Sequence, residues 1–216
     1  MNDLIPKSTI PAGKAGDYAI EKFTITEEAA KRYNISLMFN FDFGRDVEPG
    51  DYTRLVYRPG GKLRGGVLMS DTTYETLSHL DAYINAMGDV LINGLGLGLI
   101  ARAVLLKDEV RTVTINELSK DVISLVFPHL QKEFGDRVKV NNADALEWKP
   151  SNGERFNTVW HDIWMNICYD NYEEYKKLMR RYSRWLKKPH WQYCWAYGRL
   201  KRIKREEASS VNPWRW

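Results

Sequence analysis

Residues 90–98 read Val-Leu-Ile-Asn-Gly-Leu-Gly-Leu-Gly, an apolar run that breaks into three alternating glycines. This pattern is typical of a buried strand that turns tightly into a helix. Glycines let a ligand lie against the backbone, and the following helix N-terminus offers free N–H groups. A dinucleotide fingerprint requires its third glycine at position 99, which is leucine. Gly94, Gly96 and Gly98 therefore favour a nucleoside ligand that has no pyrophosphate.

Length and composition indicate an ordinary globular protein, because 216 residues suffice for one α/β domain with a smaller lobe. No segment approaches the roughly 18 consecutive apolar residues of a membrane span, and the N-terminus lacks the pattern of a secretion signal. Cys168 and Cys194 are too few for a disulfide framework, and no Cys/His spacing indicates zinc. We therefore expect a cytoplasmic protein with no metal and no membrane partner.

The net charge of +4 is unevenly distributed along the chain. Residues 176–205 contain twelve Lys and Arg and no Asp or Glu. A basic block of this size can bind nucleic acid or an acidic ligand. A solvated helix face with a basic tail is the more common explanation of such a charge run. The basic block is therefore interpreted either as a nucleic-acid surface or as a solvated helix face. The sequence does not specify the oligomeric state.

Residues 1–88 are predicted to form an N-terminal arm, a small β-rich lobe and a linking helix. Alternating apolar residues predict the strands, and Leu77, Leu80, Ile84 and Met87 have helical spacing. The predicted elements are an arm without its own core over 1–17, a helix over 27–33, strands over 35–41, 52–57 and 62–69, a hairpin turn at 59–61, and a helix over 73–87 that is capped by Asp71 or Thr72.

From residue 89 to 208, strands and helices alternate with short connections, which predicts a parallel sheet with helices on both faces. The expected fold class is therefore α/β and Rossmann-like. The strands are predicted at 89–93, 112–116, 137–141, 157–161 and 191–197, with helices over 98–106, from 119 to before 135, around 178–186 and over 198–208. Pro189 is expected to end the helix before the fifth strand, and 209–216 form a tail.

Ligands of such sheets bind at the carboxyl ends of the strands. Asn93 and the glycines end the first predicted strand, and Glu117 directly follows the second. A carboxylate there can accept hydrogen bonds from both ribose hydroxyls, with Leu118 beside it in the cofactor site. A helix-start carboxylate stabilised by the macrodipole is the alternative explanation of Glu117.

Two further strand ends carry candidate groups. Asp144 after the third strand can accept from an exocyclic amine and so select adenine, with Ala145 in apolar contact with the ring; an ordinary cap is the alternative. After the fourth strand, Asp162 or His161 could hold or deprotonate an amine or hydroxyl nucleophile. Strand alternation argues against both side chains pointing the same way, which favours Asp162 at the loop.

This ordered set resembles the class I S-adenosylmethionine-dependent methyltransferases from about Asp89 to Tyr197. Residues 90–98, the run Val113-Thr-Ile-Asn-Glu-Leu-Ser-Lys-Asp-Val-Ile and the run Asp144-Ala-Leu-Glu-Trp look most like the spermidine synthase branch, as does a small β lobe before the nucleotide domain. Short proteins that end their fourth strand in Trp-His-Asp-Ile-Trp look like ones carried by tailed bacteriophages.

The resemblance implies that S-adenosylmethionine is the cofactor and that the last two strands of a full methyltransferase sheet are missing. It also implies a role for each candidate residue. The cofactor would contact Asn93, Gly94, Gly96, Gly98, Glu117, Leu118, Asp144 and Ala145; the reaction would involve Asp162 and His161; the acceptor would lie near Asp71, Tyr74 and Trp164. Trp160 is also placed near the acceptor, and for both Trp160 and Trp164 core packing is at least as good an explanation.

Two departures from the polyamine synthases favour methyl transfer over aminopropyl transfer. Polyamine synthases carry an acidic residue between the second and third glycines, where this chain has Leu97. They show Asp-x-x-Asp-Pro after strand four, whereas here Asp162 is followed by Ile-Trp-Met-Asn. Aminopropyl transfer remains one alternative, and a nucleic-acid or partner-binding module that retains a nucleoside pocket is another. The acceptor is not specified by the sequence.

Overall fold

The computed structural model describes residues 4–39, 46–61 and 66–210, which form two β-sheets and seven α-helices. The first half contains β1 (Gly13–Ala15), β2 (Tyr18–Ile25), α1 (Glu27–Phe39), β3 (Gly50–Tyr57), β4 (Gly66–Ser70), α2 (Thr73–Ser78), α3 (Leu80–Asn85) and β5 (Gly88–Asn93). The second half contains α4 (Leu99–Leu105), β6 (Val110–Glu117), α5 (Lys120–Phe134), β7 (Val138–Asn142), β8 (Phe156–His161), α6 (Asn171–Tyr182), β9 (Leu186–Cys194) and α7 (Tyr197–Ser210).

The larger sheet has five strands in the order β7-β6-β5-β8-β9, and every neighbouring pair is parallel. The chain builds outward from β5 to β7 and then crosses back to place β8 on the other side of β5. The strand order therefore reverses between β5 and β8, which is where open parallel sheets bind ligands. The predicted α/β Rossmann-like fold is confirmed, and the described residues contain no sixth or seventh strand of this sheet.

The larger sheet is buried on both faces because successive side chains of a strand point to opposite sides. Val90 and Ile92 belong to one hydrophobic core, and Leu91 between them belongs to the other. Helix α5 covers the first core with an apolar stripe that includes Val122 and Val126. Ser119 caps this helix, because its Oγ accepts from the Val122 N–H at 3.3 Å.

The smaller sheet is antiparallel, in the order β1-β2-β3-β4, and it packs against the glycine turn after β5. Met69 on β4 lies over that turn, where its Sδ accepts from the Leu97 N–H at 3.2 Å. The first residues belong to the same body, since Ile5 and Ile10 are buried in the shared core. The described residues of the predicted arm over 1–17 therefore pack into a core that they share with the rest of the chain.

Three predicted elements differ from the structure. The alternation at 35–41 predicts a strand, but α1 continues to Phe39, because adding residues to an existing helix is cheap; residues 40 and 41 lie outside the described ranges. The helix predicted over 73–87 is interrupted at His79, whose ring faces Asp162. Residues 62–65 of a predicted strand and 211–216 of the predicted tail also lie outside the described ranges.

Pro189 does not end a helix at the position predicted; it lies within β9. A strand at the edge of a sheet tolerates proline because one side of its backbone has no ladder partner. The fifth strand therefore covers Leu186–Cys194 rather than 191–197. Among the residues that the structure describes, we find no helix with the length and apolar character needed to cross a bilayer.

Candidate functional site

A cavity of about 770 Å³ opens at the carboxyl ends of the parallel strands, beside the crossover between β5 and β8. Its volume lies in the range of about 300 to 1,000 Å³ that is usual for small-molecule sites. Six residues at or just after strand ends line it, and we call them the strand-end lining: Gly94, Gly96, Glu117, Leu118, Asp144 and Ala145. Three further carboxylates also line it, and we call them the acidic lining: Glu75 on α2, Asp162 directly after β8 and Glu174 on α6.

The glycine turn is required by two close approaches. Gly94 has φ +100°, and a Cβ there would lie 2.0 Å from the backbone oxygen of Asp162. Gly96 has φ +51°, and a Cβ there would lie 2.6 Å from the Met69 sulfur. Gly98 is different, because it caps α4 and a side chain there would meet α5 rather than the cavity. The structure thus brings two of the three predicted glycines to the cavity.

Glu117 holds the glycine turn against the start of α5. Its Oε2 accepts from the Leu95 N–H at 2.9 Å, and its Oε1 accepts from the Ser119 N–H at 2.8 Å. A carboxylate has about four acceptor positions, so two are used by the backbone and the others are available to a ligand. The two explanations considered for Glu117 are therefore compatible, since the residue fixes the loop and also lines the cavity.

Asp144 and Leu118 provide a polar and an apolar contact in the same cavity. The Oδ1 of Asp144 accepts from the Leu146 N–H at 2.7 Å, which leaves Oδ2 without a partner among the described residues. Leu118 lines the cavity and is 71% exposed. Ala145 is buried, and its carbonyl accepts from the Tyr182 hydroxyl.

Asp162 is joined to the N-terminal part of the chain by a buried ion pair. Its Oδ2 accepts from the His79 Nε2 at 2.8 Å. The other ring nitrogen of His79, Nδ1, lies 2.9 Å from the backbone oxygen of Glu75. Both ring nitrogens lie within hydrogen-bond distance of an acceptor, with the Ser78 Oγ also 3.1 Å from Nδ1, and an imidazolium would donate from both nitrogens. The Oδ1 of Asp162 has no hydrogen-bond partner among the described residues.

The electrostatics of this region shift two pKa values. Burial acts to lower the pKa of His79, but the hydrogen bond and the charge of Asp162 outweigh it and raise that pKa. Burial raises the pKa of Glu75 to about 7, with Asp162 adding to the effect and His79 opposing it. Perturbed carboxyl groups in a cavity are a recognised mark of functional sites.

His161 does not line the cavity, although it is adjacent to Asp162 in sequence. Its side chain is fully buried in a row of polar side chains that runs across the sheet, one from each strand: Asn141, Asn116, Asn93, His161 and Gln192. Burial lowers the pKa of His161 to about 3, so the ring is neutral. The alternation argument is thus correct, since Asp162 faces the cavity and His161 does not. Asn93 belongs to the same row and is also outside the cavity.

The predicted acceptor residues are only partly brought together. Trp164 lines the cavity, and its Nε1 donates to the Glu174 Oε2 at 2.6 Å. Asp71 is buried in the lobe, where its carboxylate accepts from the Ser8 and Thr53 N–H groups, so it neither caps α2 nor faces the cavity. Tyr74 is on α2 but does not line the cavity. Trp160 packs in the core against Trp191.

Glu75, His79 and Glu174 were not singled out by the sequence. Glu75 and His79 are four residues apart in a segment predicted to be helical, which places them on one face. This spacing was the available signal, although it does not indicate what the face contacts. Glu174 carries no comparable signal, because acidic residues in the first turn of a helix are common.

Comparisons with known proteins give only distant matches. No family model matches the chain, and no curated protein matches it. Among solved structures, it is similar to the CcbJ methyltransferase from Streptomyces caelestis, with 18% identity, TM-score 0.45, and coverage of 55% of this chain and 46% of that one. It is also similar to an S-adenosylmethionine-dependent methyltransferase from Clostridium acetobutylicum, with 15% identity, TM-score 0.40 and coverage of 55% and 46%.

A third structure is coclaurine N-methyltransferase bound to N-methylheliamine and SAH, with 22% identity, TM-score 0.43 and coverage of 55% of this chain and 32% of that one. This chain therefore spans less than half the length of each of these three proteins. At such identities and TM-scores the likeness does not assign a function, and none of the three is described as a polyamine synthase or a phage protein.

Proposed function

We propose that this chain binds S-adenosylmethionine in the cavity at the strand ends and transfers its methyl group to an acceptor. One observation carries the proposal: a glycine turn, the carboxylate that ends β6 and a carboxylate after β7 line one cavity at the reversal of strand order. Backbone without side chains suits close approach of a ligand, and the two carboxylates suit the ribose hydroxyls and the adenine amine.

The strand-end lining fits the nucleoside part of this cofactor. Glu117 would hold the ribose with the acceptor positions that the backbone leaves unused, and the Oδ2 of Asp144 would accept from the adenine amine. Leu118 and Ala145 would cover the ring, since both line the cavity. When bound, the cofactor supplies an activated methyl group on a sulfonium, which needs no covalent help from the protein.

The contribution of the chain to catalysis is therefore alignment and exclusion of water. Asp162 would orient the acceptor with its unpartnered Oδ1, while its Oδ2 stays bound to His79. Trp164, held by Glu174, would form a fixed wall of the acceptor region. The lobe closes the cavity from the other side with Leu55, Leu68 and Met69.

Titration calorimetry with S-adenosylmethionine tests this proposal directly. The wild-type chain should bind it, and E117Q should bind at least tenfold more weakly, because the amide keeps only one acceptor oxygen. E109Q is the matched control, since Glu109 is an exposed carboxylate that does not line the cavity. Absence of binding heat at millimolar cofactor, or equal affinity in E117Q and wild type, would overturn the proposal.

Aminopropyl transfer receives less support than methyl transfer. The acidic residue that polyamine synthases carry between the second and third glycines is replaced by Leu97, which is buried and bound through its N–H to Met69. We expect the chain to prefer S-adenosylmethionine over its decarboxylated form. Tighter binding of the decarboxylated form in the same calorimetric titration would favour the aminopropyl alternative.

We also propose that the basic residues of α6 and its C-terminal turn contact the phosphates of nucleic acid. The observation in favour is a surface concavity of about 350 Å³ that is lined entirely by cationic side chains: Lys177, Arg180, Arg181 and Arg184. Arg181 is held in place by the backbone oxygens of Glu147 and Trp148, which belong to the loop that carries Asp144. Fixed guanidinium groups suit phosphate recognition.

Fluorescence anisotropy with labelled single-stranded RNA and duplex DNA tests the nucleic-acid contact. Affinity should fall steeply as salt rises, and R180A/R184A should reduce the salt slope by about two. K132A/K139A removes two exposed cations elsewhere and should leave the slope unchanged. If neither nucleic acid binds at low salt, the concavity is a solvated face.

A further inference from the structure

The acidic lining contains a carboxyl group that neither the fold class nor the glycine turn accounts for. Glu75 is on α2, in the part of the chain that precedes the parallel sheet, and it lines the same cavity as Asp162. Its carboxyl group has no hydrogen bond or ion pair with any residue that the structure describes. A carboxyl group that is largely withdrawn from water and faces a cavity without a cation costs stability unless it serves the ligand.

The neighbouring charges distinguish Glu75 from Asp162. Asp162 is neutralised by the imidazolium of His79 at 2.8 Å, so a proton added to it would have to displace that ion pair. The hydrogen bond of Glu75 to His79 is made by its backbone oxygen, at 2.9 Å from Nδ1, and its carboxyl group interacts with the ring through charge alone. The carboxyl group of Glu75 therefore remains available to exchange a proton with whatever occupies the cavity.

The charged groups around Glu75 come from three other elements. His79 lies between α2 and α3, Asp162 follows β8, and Glu174 on α6 lines the cavity as well. From the strand-end lining, Glu117 and Asp144 add two more carboxylates. The cavity is thus acidic, which favours a sulfonium cation and opposes its replacement by a neutral sulfide unless a proton is taken up.

Methyl transfer to a nitrogen or oxygen acceptor requires such an uptake of a proton. The carbon–sulfur bond breaks with its electron pair left on sulfur, the acceptor lone pair forms the new bond to carbon, and a protic acceptor loses one proton. We propose that Glu75 is the catalytic residue that receives this proton, ionised before transfer and protonated after it. The inference rests on the proposed function, because it requires the cofactor in this cavity.

The protonation state of Glu75 can be compared between the complexes with the cofactor and with its demethylated product, and this comparison needs no acceptor. Glu75 should be ionised with S-adenosylmethionine in the cavity and protonated with S-adenosylhomocysteine, whose sulfur is neutral. Since its pKa is about 7, Glu75 is half protonated in the free protein at pH 7. Binding of the sulfonium form should therefore release about half a proton, binding of the sulfide form should take up about half a proton, and the two should differ by about one proton.

Calorimetry in two buffers of different ionisation enthalpy at pH 7 measures the protons exchanged on binding each compound. In the wild type, the two compounds should differ by about one proton beyond the contribution of their own amino groups. In E75Q this extra difference should vanish, while the amino-group contribution stays the same. E75D should keep most of it, and E147Q, which removes an exposed carboxylate outside the cavity, should keep all of it.

The outcomes separate the two proposals. If wild type binds both compounds and E75Q exchanges the same number of protons as wild type, Glu75 is not the proton acceptor and the methyltransferase proposal stands. If the wild type binds neither compound, both proposals fall. If E75Q loses affinity for both compounds but E75D shows the wild-type proton difference, a carboxyl group is required at this position and the assignment of Glu75 is supported.

Discussion

The strand-end lining and the acidic lining face the same cavity but are built by different rules. The first follows directly from the topology, because the carboxyl ends of parallel strands meet at one edge of the sheet. The second is assembled from α2, the loop after β8 and α6, and its main connection is a hydrogen bond between His79 and Asp162. The fold class therefore determines where a ligand binds, whereas the ionisable groups beside it come largely from helices and loops whose positions the fold class does not determine.

The largest effect is expected at the point where the two linings touch. Gly94→Ala would place a Cβ 2.0 Å from the Asp162 backbone oxygen at φ +100°. Strain and overpacking together should cost about 4 kcal/mol of unfolding free energy and abolish cofactor binding. Gly153→Ala is the control, since φ is +85° there with open space around it. Equal destabilisation of both variants in urea titrations would mean that the contact with Asp162 is unimportant.

The next effect tests the ion pair that holds the acidic lining. His79→Gln should lower the unfolding free energy by about 3 kcal/mol, because it leaves the Asp162 charge without its partner. The pKa of His79 is raised in the fold, so its contribution is complete below about pH 6.5 and is lost as pH rises through the raised value. The cost of the substitution should therefore shrink at alkaline pH. A cost that does not vary with pH would contradict the imidazolium assignment.

Glu75 should act in the opposite direction on stability. Its pKa rises from 4.5 to about 7 on folding, so the fold favours the protonated form and loses stability as pH rises between these values. Glu75→Gln is neutral at every pH, and its advantage over wild type should grow from near zero at pH 4.5 to roughly 3 kcal/mol above pH 7. Chemical denaturation across this range measures it. An advantage no larger than that of Glu147→Gln would show that Glu75 is solvated.

The smallest expected effect is a change in nucleoside affinity when a carboxylate of the strand-end lining is replaced. Asp144→Asn keeps the Oδ1 that accepts from Leu146 but replaces the free oxygen by a donor. Adenosine affinity should fall about fivefold, equivalent to about 1 kcal/mol, while inosine affinity should hold or improve. Asp136→Asn, in an exposed turn, is the control. A uniform loss for both nucleosides would mean that Asp144 only shapes the loop.

Much of the parallel domain was predictable because its signals are local. Val90, Leu91 and Ile92 form a strand that is buried on both faces, and a continuous apolar run is what such a strand requires. The glycine turn and Ser119 are fixed by backbone conformation and by capping, which depend on near neighbours. The errors are also instructive. The helix end predicted at Pro189 was wrong because a local pattern does not show that a strand lies at the edge of a sheet. The strand predicted over 35–41 was wrong because extension of α1 outweighed the alternating pattern.

The candidate site was half predictable for the same reason. Glu117 and Asp144 line the cavity because Glu117 ends β6 and Asp144 lies just beyond β7 in one parallel sheet. His161 and Asp71 carry suitable chemistry, but tertiary packing uses them for a hydrogen-bonded row and for the lobe. Glu75 entered the site only when α2 packed against the loop after β8.

By itself, the sequence determined the alternation of strands and helices, the glycine turn and the carboxylates at the strand ends, since each depends on residues close together in the chain. Only the tertiary structure decided which ionisable groups share a cavity and which are neutralised. Charge and burial act through space between residues that are distant in sequence. His79 and Asp162, for example, are 83 residues apart and form their ion pair only in the folded chain. The carboxyl group of Glu75 likewise shares a cavity with Asp162 only after folding.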